Sequence, residues 1–190
     1  MGRKLHPVTC LDLVQYPLQE REFLLVSKCD RQAMGIQNPL HFLLRWKVFQ
    51  TAFFEARSKG HSFVLLKLPH STLVFITQHF YDAEPEMDHS EAVNLITYYE
   101  HHKIFVLRQL ATQYLDTNPM DIHQTVAMWR LGFKEKSVRA KNYASRHMRE
   151  IRDTSEEHDA ALGEAMSHLE AQELRSLVNE LWLSSPIVDD

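Results

Sequence analysis

At 190 residues, with 44% hydrophobic residues and ten phenylalanines, the chain can bury a real core, which excludes a wholly disordered polypeptide. Its five glycines, Gly2, Gly35, Gly60, Gly132 and Gly163, are too scattered for the glycine-rich loops that cradle phosphates in common nucleotide-dependent enzymes. Cys10 and Cys29 are too few for a zinc ribbon or a disulfide framework, and the net charge of -4 is close to neutral.

The first 37 residues have little pattern beyond Pro7, Pro17 and a short strand or helix start at 22–27. Gly2-Arg3-Lys4 is followed by mixed residues, not by the apolar run of a signal peptide. Asn38-Pro39 reads as a helix cap followed by proline in the first helical position. Leu40, Leu43, Leu44, Phe49, Phe53 and Ala56 then recur at helical spacing, and Gly60 ends the run. One helix over 39–58 is expected, and its aromatic residues, Trp46, Phe49, Phe53 and Phe54, are expected in the core.

Residues 62–80 are apolar but interrupted by Lys67, Pro69, His70, Gln78 and His79, so they do not suit a membrane span. Phe63-Val64-Leu65 and Thr72-Leu73-Val74-Phe75-Ile76-Thr77 favour a small β-hairpin around Pro69-His70-Ser71, with a buried helix as the alternative. The acidic stretch 82–88 marks a domain boundary, with a mixed part at 1–88 and a helical part at 89–190, if the chain is not one domain. Val93, Ile96, Ile104, Leu107, Leu110, Ala111 and Leu115 set a helical stripe over 90–115. Asn118-Pro119 repeats the cap signal and opens a helix over about 120–131, closed by Gly132. A further helix is expected over 134–152. Thr154 and Glu157 fit a capping box that starts a last helix over about 155–183. The expected fold class is mainly α and bundle-like.

The charge pattern changes abruptly inside this helical part. Between Arg130 and Arg152, eight basic residues face only Glu135 and Glu150; from Asp153 to Asp190, ten carboxylates face only Arg175. Such asymmetry points to two surfaces with different partners. On a helical wheel Ala140, Ala144, Met148 and Ile151 share one side of the basic helix, and Arg139, Arg146, Arg149 and Arg152 lie mainly on the other. Two short helices around Gly132, the second one basic, have the layout of a helix-turn-helix, whose second helix enters the major groove. Lys134, Lys136, Arg139, Lys141, Arg146 and Arg149 are the phosphate-contact candidates. Asn142 is the base-reading candidate, because its amide pairs with adenine; Ser145 and His147 would add polar contacts. The motif is imperfect: Met128, not a small residue, stands four before the glycine, and Val138 turns toward the basic side. The competing account is a solvated basic face that pairs with the acidic end of the chain.

The string Ala127-Met128-Trp129-Arg130-Leu131-Gly132-Phe133 resembles a segment of FlhD-type subunits of the bacterial flagellar master transcription activator. About seven residues match closely and about thirty loosely, including 103–115. The resemblance implies an all-helical transcription regulator that works with a partner subunit, and it carries over no individual residue role beyond the basic segment.

In the last helix Leu162, Met166, Leu169, Leu174, Leu177 and Leu181 form an apolar stripe expected to dock a second copy or a protein partner. Unbroken, that helix would extend about 40 Å. Twelve histidines give no metal site: only Glu86 and His89 have a Glu-x-x-His spacing, and di-metal bundles need two. No serine sits in a nucleophile elbow, and no Cys–His spacing stands out. The expectation is therefore a non-enzymatic, cytoplasmic DNA-binding regulator without cofactor, metal or catalytic residues. A protein–protein adaptor or secretion-type accessory protein is the alternative.

Overall fold

The strand Phe23–Ser27 (β2) is the scaffold of the N-terminal half: all five of its residues are buried. It pairs antiparallel with Gln32–Ile36 (β3), with Leu25 opposite Met34, and parallel with Phe63–Leu66 (β4), with Leu25 opposite Val64. The two-residue strand Val8–Thr9 (β1) adds to β3, so the sheet order is β1-β3-β2-β4. The computed structural model describes residues 8–9, 23–81, 83–152 and 156–183. They are mainly α-helical, with this small sheet the chief β structure.

A parallel partner for β2 requires a crossover, and Leu40–Arg45 (α1) and Lys47–Ser58 (α2) supply it. The single helix expected over 39–58 is broken at Trp46, whose backbone is extended. The break lets the buried indole leave the helix line. Its Nε1 donates to the His102 carbonyl at 3.0 Å, and its ring meets Phe49, Phe80 and His102. Phe42 and Phe53 extend this aromatic core through Phe49. Gly60, at φ +73°, makes the left-handed turn into β4.

The hairpin expected at 62–80 is half right. Residues 63–66 are a strand, but 70–80 are the helix His70–Phe80 (α3). The hairpin of this fold lies instead between β2 and β3. In 70–80 a helical period outweighs the β-branched composition: Leu73, Ile76, Thr77 and Phe80 fall on one buried stripe. Asp30 fixes the start of α3, its Oδ2 accepting from the His70 N–H at 2.7 Å.

The helix expected over 90–115 is three: His89–Thr97 (α4), Tyr99–His102 (α5) and Phe105–Thr117 (α6). Lys103, at φ 53°, turns the chain between the last two. Two compact units divide at 113/114, inside α6, and not in the acidic stretch 82–88. The reason is that Leu95, Tyr98, His102 and Ile104 close over Leu68 and Ile76, which ties 89–104 to the sheet-bearing unit.

The second unit holds Ile122–Lys134 (α7), Val138–Arg152 (α8), Glu156–Met166 (α9) and Ala171–Val178 (α10). A single π turn, Asn179–Leu183, follows α10. Asp121, not Asn118, caps α7, in a reciprocal capping box with Gln124. The expected 155–183 helix is interrupted at 167–170, where the Glu170 and Glu173 side chains build a new helix start. No 40 Å rod exists. The capping box expected at Thr154 lies outside the described residues.

His102 supplies a test of the first unit. It is buried; its Nε2 donates to the Lys67 carbonyl at 3.1 Å and its Nδ1 lacks a hydrogen-bond partner. Burial, with His101 adding to it, pushes the imidazole down to about 4, against the Lys67 contact. The folded state holds the neutral ring, so the unfolded chain takes up the proton first as pH falls. The contribution of His102 is complete above the ordinary histidine range and is lost as pH drops toward about 4. Denaturant unfolding between pH 7 and pH 4 should show this loss, and His102→Gln should flatten it.

Candidate nucleic-acid interface

Where the sequence pattern ends a helix at Gly132, α7 runs on to Lys134. The glycine has a different task. A Cβ at this position would lie 2.9 Å from the Ala140 Cβ and 3.1 Å from the Lys141 nitrogen. Gly132 and Ala140 therefore let α7 and α8 cross almost backbone to backbone. The turn between them is short: Lys136 takes φ 57°, and the Ser137 N–H returns to the Gly132 carbonyl at 2.8 Å. The Ser137 hydroxyl then accepts from the Ala140 N–H at 3.3 Å and starts α8. Ala140, Ala144 and Met148 bury the inner side of α8, as their spacing predicts; Ile151 is only half-buried.

The acidic end of the chain sorts the basic residues into two groups. Glu180, in the π turn, is the hub. Its Oε1 pairs with Lys141 at 2.6 Å, and its Oε2 accepts from Trp129 Nε1 at 2.8 Å and from the Ser145 hydroxyl at 3.2 Å. Arg149 donates to the Glu180 backbone carbonyl. Glu173, on α10, takes Arg130 at 3.0 Å and Lys134 at 3.8 Å. Burial alone would raise the Glu173 carboxyl. The Glu170 N–H, Arg130 and Lys134 outweigh that and hold it below the usual carboxylate value. Arg152 lies 5.6 Å from the centre of the exposed Trp182 ring.

Of the candidate contacts, Lys141 and Arg149 thus turn toward the acidic segment, and Lys134 is shared with it while staying exposed. Lys136 is exposed in the turn, and Arg139 and Arg146 are exposed on the other side of α8, with Asn142 half-buried between the two arginines. The spacing 139, 142, 146 keeps these three on one stripe. Val138, 60% exposed, stands at its start. The Arg146 guanidinium lies 5.3 Å from the centre of the Tyr143 ring, and the Tyr143 hydroxyl donates to Asp116 at 3.0 Å. Burial and the Asp116 carboxylate both push that phenol above its ordinary value. Ser145 and His147, expected as polar contacts, are committed inward, Ser145 to Glu180 and His147 Nε2 to the Met120 carbonyl at 3.0 Å.

The stripe expected to dock a partner is placed differently from its sequence reading. Leu162, Met166, Leu177 and Leu181 are buried within the second unit, while Leu169 and Leu174 are half-buried. The break at 167–170 folds α10 back, so the chain covers its own apolar side. That Trp129 and Ser145 meet at Glu180 leaves no local sequence signal, since 51 and 35 residues separate the two donors from their acceptor.

Among the described residues no group of three or more His, Cys, Asp or Glu is arranged to hold a metal ion, and no helix is long and apolar enough to cross a membrane. No family model and no curated protein matches the chain.

Three outcomes test this arrangement. Gly132→Ala should cost about 1–3 kcal/mol, the range for overpacking a tight contact. Gly163→Ala, in helix α9 where nothing lies within 4 Å, should leave stability unchanged or raise it. Urea titrations of the two variants measure the contrast. Glu180→Ala orphans three donors and should cost roughly 2 kcal/mol or more, whereas Glu164→Ala at an exposed position should be near neutral. The Glu173 contribution is present above the usual glutamate range and is lost as pH falls through its depressed value. Glu173→Gln should remove that acid-side slope.

Proposed function

We propose that the chain is a non-enzymatic regulator that binds duplex DNA through the α7–turn–α8 element. The carrying observation is that Lys136 in the turn and Val138, Arg139 and Arg146 on α8 are exposed, with half-buried Asn142 between the two arginines, on the side of α8 away from the acidic segment. In helix-turn-helix proteins the N-terminal part of the second helix reaches base edges. Here that part carries an apolar side chain suited to a thymine methyl group, an amide suited to adenine and cations suited to phosphates. The resemblance of 127–133 to FlhD-type activator subunits agrees with this role and with action in the cytoplasm. Assembly with a second copy or a partner subunit would use the exposed Trp182 and the half-buried Leu169 and Leu174, since the rest of the expected stripe is internal.

A second reading has its own observation. Glu173 and Glu180 already engage Arg130, Lys134, Lys141 and Arg149, and Asp116 and Glu150 stand beside Arg146. A surface of such mixed sign suits a protein partner, as in an adaptor.

Fluorescence anisotropy of a labelled random duplex across a salt series separates the two. The DNA reading expects binding that weakens steeply with salt. Lys136→Glu, Arg139→Glu and Arg146→Glu should each make the log–log salt slope shallower by about 1. Arg175→Glu, on α10, should change it little. A folded protein with no affinity for random duplex at low salt would favour the adaptor.

A further inference from the structure

Beside α8 the second unit carries an open groove of about 330 Å³. Leu115 and Pro119 form one wall, and Asp116, Tyr143, Arg146 and Glu150 supply its polar groups. Tyr143 links two of the charged groups. Asp116 accepts from the Tyr143 hydroxyl at 3.0 Å, and Arg146 lies against the same ring. Glu150 is one helical turn beyond Arg146 on α8, close enough for neighbouring side chains to share a ligand. His147, which also lines the groove, is tied through Nε2 to the Met120 carbonyl, and its Nδ1 is 3.5 Å from Glu150. It is thus held in place on the groove wall. Two carboxylates and one guanidinium therefore line one groove beside the Tyr143 ring.

The complement of that set is a small molecule with two cations and one anion. We propose that the groove binds a free basic α-amino acid of the lysine or arginine class. Its carboxylate pairs with Arg146, its two cationic groups pair with Asp116 and Glu150, and its aliphatic stem lies along Tyr143, Leu115 and Pro119. The volume suits a ligand of this size, at the lower end of small-molecule sites. The inference goes beyond duplex binding and does not depend on it, because the groove would take its ligand with no nucleic acid present. One consequence does rest on the duplex reading: Arg146 stands on the exposed stripe as well, so an occupied groove would lower the affinity for DNA.

The test uses the full chain without DNA. L-lysine, L-arginine, putrescine and L-glutamate are titrated separately, and backbone amide NMR shifts are followed at 115–119 and 143–150. The expected result is a saturable shift with lysine or arginine. The response should be weaker with putrescine, which lacks the carboxylate, and weaker with glutamate, whose charges are reversed. Asp116→Asn, Glu150→Gln and Arg146→Gln, all at exposed positions, should each weaken lysine binding roughly two- to fivefold, as for a partly exposed ion pair. No saturable shift with either basic amino acid in the millimolar range would overturn the proposal. So would putrescine binding as tightly as lysine, or three variants that bind like the parent chain. Because no duplex is present, failure here leaves the DNA reading standing, and a protein that never binds duplex can still pass.

Discussion

The second unit is organised around the Glu180 carboxylate. One side chain accepts from an indole, a hydroxyl and an ammonium, and these three donors come from α7 and α8. Paired charges this far withdrawn from solvent cost desolvation energy, and the pairing offsets that cost only where most of the lone pairs find donors. Glu180 meets this condition, so it serves as an anchor and not only as a counter-charge. The anchoring also sets direction. Drawing Lys141, Ser145 and Arg149 toward the π turn fixes the rotation of α8 about its axis. That rotation decides which basic residues of α8 face away, namely Arg139 and Arg146.

Gly132 and Glu180 act on the same helix from different sides. The glycine brings α8 so close to α7 that only Ala140 fits opposite it, and Glu180 ties α8 to the end of the chain. A helix held at its crossing point and along one flank cannot slide or turn easily. Preorganisation of this kind suits a recognition surface, because fewer side chains must be ordered when a partner arrives. Tyr143 extends the effect to the exposed side, where Asp116 fixes its hydroxyl and its ring supports Arg146.

Most of the helical content was legible in the sequence, because Leu, Ala and Met recur at the helical period. The inner side of α8 followed directly from Ala140, Ala144 and Met148. Helix breaks were harder. Trp46 leaves the helix to reach the His102 carbonyl, a contact 56 residues away that no local pattern records. Residues 72–77 have strand composition yet form α3, since the stripe of Leu73, Ile76, Thr77 and Phe80 meets a core only the folded chain provides. The break at 167–170 is a partial exception. Glu170 and Glu173 stand three apart, as in a capping box, but a glutamate in the cap position is not among the residues that usually announce one. The inversion of charge after Arg152 was visible at once. Which partners it creates was not, because pairing depends on how α10 folds back.

The two groups of basic residues should also differ physically in their response to ions. Lys141 and Glu180 are each about a quarter exposed and 2.6 Å apart, so mobile ions reach them poorly. Lys136, Arg139 and Arg146 face water, where screening operates over about 8–10 Å at ordinary ionic strength. Salt therefore acts first on the exposed stripe and only weakly on the pairs that hold α8 in place. Rising salt therefore screens the surface charge without loosening the contacts that hold α8. The opposed charge blocks, almost cancelling in the total, therefore meet in part within the fold: Arg130, Lys134, Lys141 and Arg149 turn to the acidic segment, while Lys136, Arg139 and Arg146 are exposed.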